Sequence, residues 1–194
     1  MGVCAVFLVG FMGSGKSSVG QELARRLGWD FVDLDTQIES RERQTIPEIF
    51  RDRGEHGFRL AETSALRDLL AESRQPKRVV ALGGGAFVQE RNRELLRQWP
   101  SVFLQADPSE LWRRSLLDGV ERPLRGDPEQ FARLYGERLP FYREASVVVE
   151  TTGKPLASIC GEIEGALHLT GTPQDAGPDL SRIDQTSFGT GESQ

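Results

Sequence analysis

The chain has 194 residues, of which 38% are hydrophobic and 27% are charged, and its formal net charge is −5. This length and composition are typical of a single soluble globular domain with a substantial core. The negative net charge argues against nucleic acid as the main partner, and no apolar run approaches the ~20 residues of a membrane span.

The amino-terminal segment predicts a buried strand and not a targeting sequence. Residues 3–9 form a continuous apolar run, typical of a strand buried on both faces of a parallel sheet. No basic segment precedes this run, as a signal peptide would require. Cys4 and Cys160 have no metal-ligand spacing, so we expect buried thiols in a reducing, cytoplasmic compartment.

Residues 10–17, Gly-Phe-Met-Gly-Ser-Gly-Lys-Ser, match the phosphate-binding P-loop pattern G-x-x-x-x-G-K-[ST]. The strand before it and the amphipathic helix predicted over 16–28 supply the context that a P-loop needs. Its glycines let backbone N–H groups turn toward an anion, and the helix adds its positive end. We expect Lys16 to reach the β- and γ-phosphates of a nucleotide and the Ser17 hydroxyl to bind Mg²⁺.

Two carboxylates follow on the next predicted strand, which spans residues 29–35. Asp33 and Asp35 are expected on one side of it, because strand side chains alternate. At the carboxyl end of a parallel strand, Asp33 is a candidate for binding Mg²⁺ through water and Asp35 for accepting a hydroxyl proton. A solvated pair of strand-end carboxylates is an equal alternative when the two residues are considered alone.

The rest of the chain alternates between strand and helix patterns. A mixed helical region spans 36–76, in which Thr45 begins a helix and residues 54–57 interrupt the pattern. Strands are predicted at 78–82, 101–105 and 146–150, and helices at 90–99, from 107, at 129–142 with a break near Pro140, and at 155–169. This order predicts an α/β fold with three layers, αβα, in which a parallel sheet of about five strands lies between helices, as in P-loop NTPases.

The P-loop alone does not separate kinases from GTPases. The sequence lacks the N-K-x-D element that reads guanine, and its size favours a small kinase. Four arginines lie in irregular or element-end positions: Arg59, Arg122, Arg125 and Arg138. An isolated arginine is most often a solvated surface residue, but a small anionic acceptor needs one or two for bidentate recognition.

Over residues 3–168 the chain resembles the shikimate kinase family. The resemblance rests on an ordered set of segments: the P-loop, Phe-Val-Asp-Leu-Asp-Thr-Gln-Ile-Glu at 31–39, Thr-Ile-Pro-Glu-Ile-Phe at 45–50, Gly-Glu at 54–55 with Phe58, Arg59 and Glu62, the glycines at 83–85, Arg-Pro-Leu at 122–124, and Arg138 with Pro140 and Tyr142. It implies ATP-dependent phosphorylation of the 3-hydroxyl of shikimate, giving shikimate 3-phosphate and ADP, on the chorismate route to aromatic amino acids.

The resemblance also implies roles for individual residues. The ATP phosphates and adenine are assigned to Gly13, Ser14, Gly15, Lys16, Ser17, Ser18, Arg114 and Arg122. Mg²⁺ is assigned to Ser17 and, through water, to Asp33. The catalytic set is Lys16, Asp35 and Arg122, and shikimate is assigned to Asp35, Arg59, Glu62, Gly83, Gly84, Gly85 and Arg138.

The resemblance further implies a domain over residues 1–169, with a substrate-binding subdomain at 36–63 and a lid at 115–128. Residues 170–194 are polar and predict a disordered tail. We expect a monomer that acts on ATP and shikimate and has no nucleic-acid or membrane partner. The alternatives are a kinase for another small polyol acid such as gluconate, a nucleoside monophosphate kinase, and a nucleotide-binding regulatory protein without catalysis.

Overall fold

The computed structural model describes residues 3–72, 77–117 and 127–170. Five strands form one parallel sheet in the order β2-β3-β1-β4-β5: β1 (Ala5–Val9), β2 (Asp30–Asp33), β3 (Arg78–Ala81), β4 (Ser101–Gln105) and β5 (Val147–Glu150). The α/β class and the five-stranded parallel sheet predicted from the sequence are confirmed. Arg122, Arg125, most of the predicted lid and the predicted tail lie outside the described residues.

Helices cover both faces of this sheet. They are α1 (Lys16–Leu27), α2 (Leu34–Glu42), α3 (Ile46–Ala71), α4 (Glu90–Leu96), α5 (Pro108–Leu117), α6 (Pro128–Tyr142) and α7 (Leu156–Ala166), with a short 3-10 helix at Ala86–Val88. No helix in the described part of the chain is long and apolar enough to cross a membrane.

The central strand β1 shows why three layers form. Its five residues are all buried, and they alternate between two hydrophobic cores. Phe7 and Val9 pack into the core shared with α2, α3 and α6, whereas Val6 and Leu8 pack into the core under α1 and α7. Because strand side chains point alternately to opposite faces, a continuous apolar run needs a helical layer on each face.

Three predicted features between residues 29 and 57 can be compared with the structure. One is wrong and two are confirmed, and each outcome has a physical cause. The predicted strand at 29–35 is too long, because the Asp33 side chain accepts a hydrogen bond from the Asp35 backbone N–H (3.0 Å) and starts α2 at Leu34. The predicted start at Thr45 is confirmed by a capping box with Glu48. The predicted interruption is also confirmed, since Gly54 has φ 65° and ψ −178° and kinks α3.

The predicted break near Pro140 is wrong, because α6 continues through this proline to Tyr142. A proline removes one backbone donor and crowds the carbonyl four residues earlier, which belongs to Gly136. Pro140 and Gly136 are both exposed, so that carbonyl lies at the surface of the protein, and the helix ends two residues later. The cost of the missing bond is therefore local.

Candidate active site

A cavity of about 760 Å³ opens where the parallel strands end at their carboxyl edge. This is the edge where open α/β sheets bind ligands. Its lining includes the P-loop residues from Gly13 to Val19, the pair Asp33 and Asp35, Gly83, Gly84, Arg114 and the loop that follows β5. Residues predicted from distant parts of the sequence therefore share one cavity.

The P-loop has the backbone geometry of an anion-binding nest. Gly13 (φ 77°) and Gly15 (φ 84°) take left-handed conformations, and α1 begins at Lys16 without a side-chain cap. The uncapped N–H groups are thus available to an anion at the helix N-terminus. A methyl group built on Gly13 would lie 2.5 Å from the Leu111 carbonyl oxygen, so α5 fixes the loop from behind.

The Lys16 ammonium lies over the P-loop. It donates to the carbonyl oxygens of Gly10 and Phe11, each at 3.0 Å, and lies 3.4 Å from the buried Ser14 hydroxyl. Ser18 is exposed in the first turn of α1. A phosphate seated on the nest would therefore meet one cation and the hydroxyls of a helix N-terminus.

Ser17 and Asp33 form the candidate metal-binding pair. The Ser17 hydroxyl donates to Asp33 Oδ2 at 3.0 Å. No group of three or more His, Cys, Asp or Glu able to hold a metal occurs in the described ranges. Mg²⁺ at nucleotide sites binds through one or two protein oxygens plus phosphates and water, so this pair fits it.

The sequence pattern predicts that Asp35 lies on a strand. In the structure Asp35 lies in the first turn of α2, and it still lines the cavity. The glycine turn after β3 lies directly beside it. A methyl group built on Gly83 would lie 2.6 Å from Asp35 Oδ1 and 3.2 Å from Glu62 Oε1. The absence of a side chain at Gly83 thus allows two carboxylates from α2 and α3 to approach the turn.

Arg59 and Glu62 form a buried ion pair on α3. Arg59 Nη1 donates to both Glu62 oxygens at 3.1 and 3.0 Å, and Arg59 Nη2 reaches the exposed Glu55 at 3.2 Å. Burial raises the pKa of Glu62 to about 7, although the charge and hydrogen bonds of Arg59 oppose this shift. Arg59 Nη1 lies 2.6 Å from the position of a methyl group on Gly85, so this glycine makes room for the guanidinium.

Arg138 brings a second buried guanidinium from α6. Its side chain packs over the Phe11 ring at 5.7 Å, and its Nη1 lies 3.5 Å from the Gly84 carbonyl oxygen. The turn itself lies against the P-loop, since a methyl group on Gly84 would be 3.6 Å from the Gly10 carbonyl oxygen. The structure thus brings Asp35, both arginines, Glu62 and the three glycines together beside the P-loop.

Arg114 reaches the other side of the cavity from α5, where its Nε donates to Glu110 at 2.8 Å. The sequence interpretation missed the loop after β5 and the start of α7, where Thr151, Lys154 and Leu156 line the same cavity. Lys154 is held there by Glu162 at 2.7 Å. The sequence did contain a signal for this loop: it follows the carboxyl end of a predicted parallel strand, which is where such sheets bind ligands.

Comparisons with known proteins agree with this geometry. The family model described as shikimate kinase matches residues 12–167. The shikimate kinase of Rhodopseudomonas palustris is 42% identical over 167 residues, covering 84% of this chain and 80% of that protein. The shikimate kinase of Geobacter metallireducens is 44% identical over 167 residues, covering 84% and 91%.

A solved structure gives the same result in three dimensions. The shikimate kinase of Acinetobacter baumannii, in complex with shikimate, superposes with a TM-score of 0.78 at 37% identity and covers 86% of this chain and 94% of that one. The residues matched by the family model include most of the P-loop, the glycine turn and Arg138. The chain belongs to the shikimate kinase family.

Proposed function

We propose that the protein transfers the γ-phosphoryl group of ATP to the 3-hydroxyl of shikimate, giving shikimate 3-phosphate and ADP. The observation that carries this proposal is the placement of two buried arginines and Asp35 beside a P-loop. A small acceptor with one carboxylate and several hydroxyls satisfies this set of charges. The A. baumannii relative was solved with shikimate bound, which supports the same acceptor.

The nucleotide half of the site uses mainly backbone groups. We assign the ATP phosphates to Gly13, Ser14, Gly15 and Ser18 together with Lys16. Arg114 and the loop at Thr151–Leu156 bound the space left for adenine. Arg122, from the lid assigned to 115–128, is proposed to reach the transferring phosphoryl group.

Mg²⁺ is the proposed cofactor of this half. The Ser17 hydroxyl would bind it directly and Asp33 through water, in keeping with their 3.0 Å contact. When bound, Mg²⁺ neutralises charge that develops on the phosphate oxygens. Asp33 also fixes the backbone of Asp35 at 3.0 Å, so the metal-binding residue orients the proposed base.

The acceptor half uses buried side chains. Arg59 and Arg138 are proposed to clamp the shikimate carboxylate, because guanidinium groups bind carboxylates with two parallel hydrogen bonds. Glu62 holds Arg59 in place, and the turn of Gly83, Gly84 and Gly85 contacts the ring hydroxyls. Together these contacts present one hydroxyl to Asp35.

Asp35 is the proposed general base. As the acceptor oxygen bonds to the γ-phosphorus, the Asp35 carboxylate takes the hydroxyl proton, and the bond to the leaving ADP oxygen breaks. Closure of the assigned lid would exclude water, which otherwise competes with the acceptor for the phosphoryl group.

We assign the acceptor subdomain to residues 36–63, which cover most of α2 and the first part of α3. We infer a monomer, because the P-loop, Asp35 and both arginines come from one chain. A cytoplasmic location is proposed from the ATP requirement and from the buried thiol of Cys160, which is not in a disulfide.

Identification of the product tests this function. Purified full-length protein is incubated with ATP, Mg²⁺ and one acceptor from a panel of shikimate, gluconate and a nucleoside monophosphate, and the product is analysed by mass and by phosphorus NMR. We expect phosphorylation of shikimate alone, at the 3-hydroxyl. Phosphorylated gluconate or a nucleoside diphosphate as the main product would refute the proposal.

A further inference from the structure

Tyr142 ends α6 with its hydroxyl at the glycine turn of the acceptor site. Its ring is fully buried and stacks on Phe103, with ring centroids 5.2 Å apart and an interplanar angle of 28°. The hydroxyl donates a hydrogen bond to the carbonyl oxygen of Gly84, which lies 58 residues away in the chain. One phenol thus connects the last turn of α6 to the turn that borders Asp35.

The same carbonyl is approached by Arg138, one helical turn before Tyr142. Arg138 Nη1 lies 3.5 Å from the Gly84 carbonyl oxygen, which is the same atom that accepts from the Tyr142 hydroxyl. Residues four apart on a helix face the same direction, so both side chains point to the turn. Tyr142 and Arg138 therefore converge on the Gly84 carbonyl.

The Tyr142 hydroxyl stays neutral throughout the physiological range. Burial raises its pKa to about 12, while the positive charge of Arg138 and its hydrogen bond oppose the increase. A neutral phenol has one proton to donate and lone pairs to accept with. It can hold the Gly84 carbonyl and accept from the guanidinium at the same time.

We propose that Tyr142 is a positioning residue for the acceptor: it satisfies the Gly84 carbonyl and thereby leaves the Arg138 guanidinium directed at the acceptor carboxylate. This inference rests on the proposed function, in which Arg138 binds that carboxylate. Without the hydroxyl, the Gly84 carbonyl keeps the long contact to Arg138 as its hydrogen bond within the described ranges. A half-satisfied carbonyl draws the guanidinium toward itself, because leaving a desolvated acceptor unpaired is costly.

The structure offers a matched control on the same helix. Tyr135 is also buried, with 6% of its surface exposed, and its hydroxyl lies 3.4 Å from the carbonyl oxygen of Ala106, to which it donates. This contact is to the end of β4 and not to the glycine turn. Tyr142→Phe and Tyr135→Phe each keep the aromatic ring and remove one hydroxyl that donates to a backbone carbonyl.

The test measures kcat and both KM values for wild type and the two variants. For Tyr142→Phe we expect the KM for shikimate to rise about 5- to 20-fold, the worth of one buried hydrogen bond, with the KM for ATP and kcat changed by less than about twofold. Tyr135→Phe should leave all three near wild type. An unchanged KM for shikimate, or a parallel rise in the KM for ATP, would overturn the proposal.

A double variant tests whether Tyr142 acts through Arg138. If it does, adding Tyr142→Phe to Arg138→Lys raises the KM for shikimate little beyond the single arginine change, whereas fully additive effects would contradict the inference. Partial unfolding lowers only the apparent kcat, because KM does not depend on the folded fraction. A wild-type protein without shikimate-dependent turnover would refute the proposed function instead, so the two failures are distinguishable.

Discussion

The nucleotide half and the acceptor half of the site are built in opposite ways. The phosphate-binding part of the nucleotide half comes from the single stretch 10–18, presents backbone N–H groups, and exposes Ser17 and Ser18. The acceptor half comes from α2, α3, the turn after β3 and α6, and buries charged groups: Glu62 is 0%, Arg59 7% and Arg138 9% exposed. Phosphate binding is thus a local property, whereas acceptor recognition depends on the assembled fold.

This difference predicts which substitutions affect one substrate and which also affect packing. A side chain changed in the acceptor half should affect one substrate strongly and also disturb packing, because its charged groups are buried and paired. Four experiments test the difference between the two halves, and they follow in order of decreasing expected effect.

Asp35→Asn should separate the two halves most completely. It removes the proposed base while leaving the P-loop intact, so we expect turnover to fall about 10²- to 10⁴-fold. ATP affinity, measured by calorimetry, should stay within about threefold of wild type. Asp30→Asn, at the exposed start of β2, is the control and should keep full turnover. Near-normal turnover of Asp35→Asn would exclude its role as the base.

Arg138→Lys should affect the acceptor alone. Lysine keeps the charge but loses the planar pair of donors, so we expect the KM for shikimate to rise roughly 10- to 100-fold, from the loss of a charged hydrogen bond or two. Arg133→Lys, on the exposed face of the same helix, should change nothing. Steady-state kinetics with each substrate varied in turn measure both. An equal rise in the KM for ATP would show that the two halves are not independent.

Gly83→Ala should disturb the acceptor half through packing. The added methyl group would lie 2.6 Å from Asp35 Oδ1, so the carboxylate or the turn must move. We expect kcat/KM for shikimate to fall about tenfold, since small displacements of a reacting group are costly. At Gly136 an added methyl group meets nothing within 4 Å, so Gly136→Ala should instead keep activity and stabilise α6 by about 0.5–1 kcal/mol. Equal activity of both variants would contradict the close approach at Gly83.

Glu62 should give the acceptor half a pH-dependent stability. Its pKa is about 7 in the folded protein against an ordinary value of 4.5, so the unfolded chain loses this proton first as the pH rises. The free energy of unfolding should therefore decrease between pH 4.5 and 7, by at most about 1.4 kcal/mol per pH unit.

Denaturant unfolding at several pH values measures this slope. Glu62→Gln cannot titrate and should flatten it, whereas Glu55→Gln, which changes the exposed partner of Arg59, should keep it. The same slope in both variants and in wild type would mean that Glu62 is not the group that titrates.

The same contrast explains what the sequence could predict. The P-loop and the Thr45 cap were identifiable because each is a local pattern with a local hydrogen-bond requirement. The acceptor residues were assigned through a family resemblance, because no spacing in the sequence shows that Arg59 and Arg138 both reach Gly83–Gly85. The packing of α3 and α6 around the turn after β3 brings those residues together.

The errors in the sequence prediction have equally specific causes. Strand and helix compete at Asp33, and its side-chain cap decides in favour of the helix two residues earlier than alternation suggested. Pro140 did not break α6, because the carbonyl that loses its partner is exposed. Tyr142 belonged to the resemblance, but its hydrogen bond to Gly84 depends on a contact across 58 residues.

The most direct test of the central claim is ADP release by the purified full-length protein with ATP and Mg²⁺, with shikimate as the varied component. We expect release to rise above the acceptor-free background and to saturate with shikimate, while gluconate at the same concentrations leaves the background unchanged. A rate that does not respond to shikimate would contradict the assignment of the acceptor half.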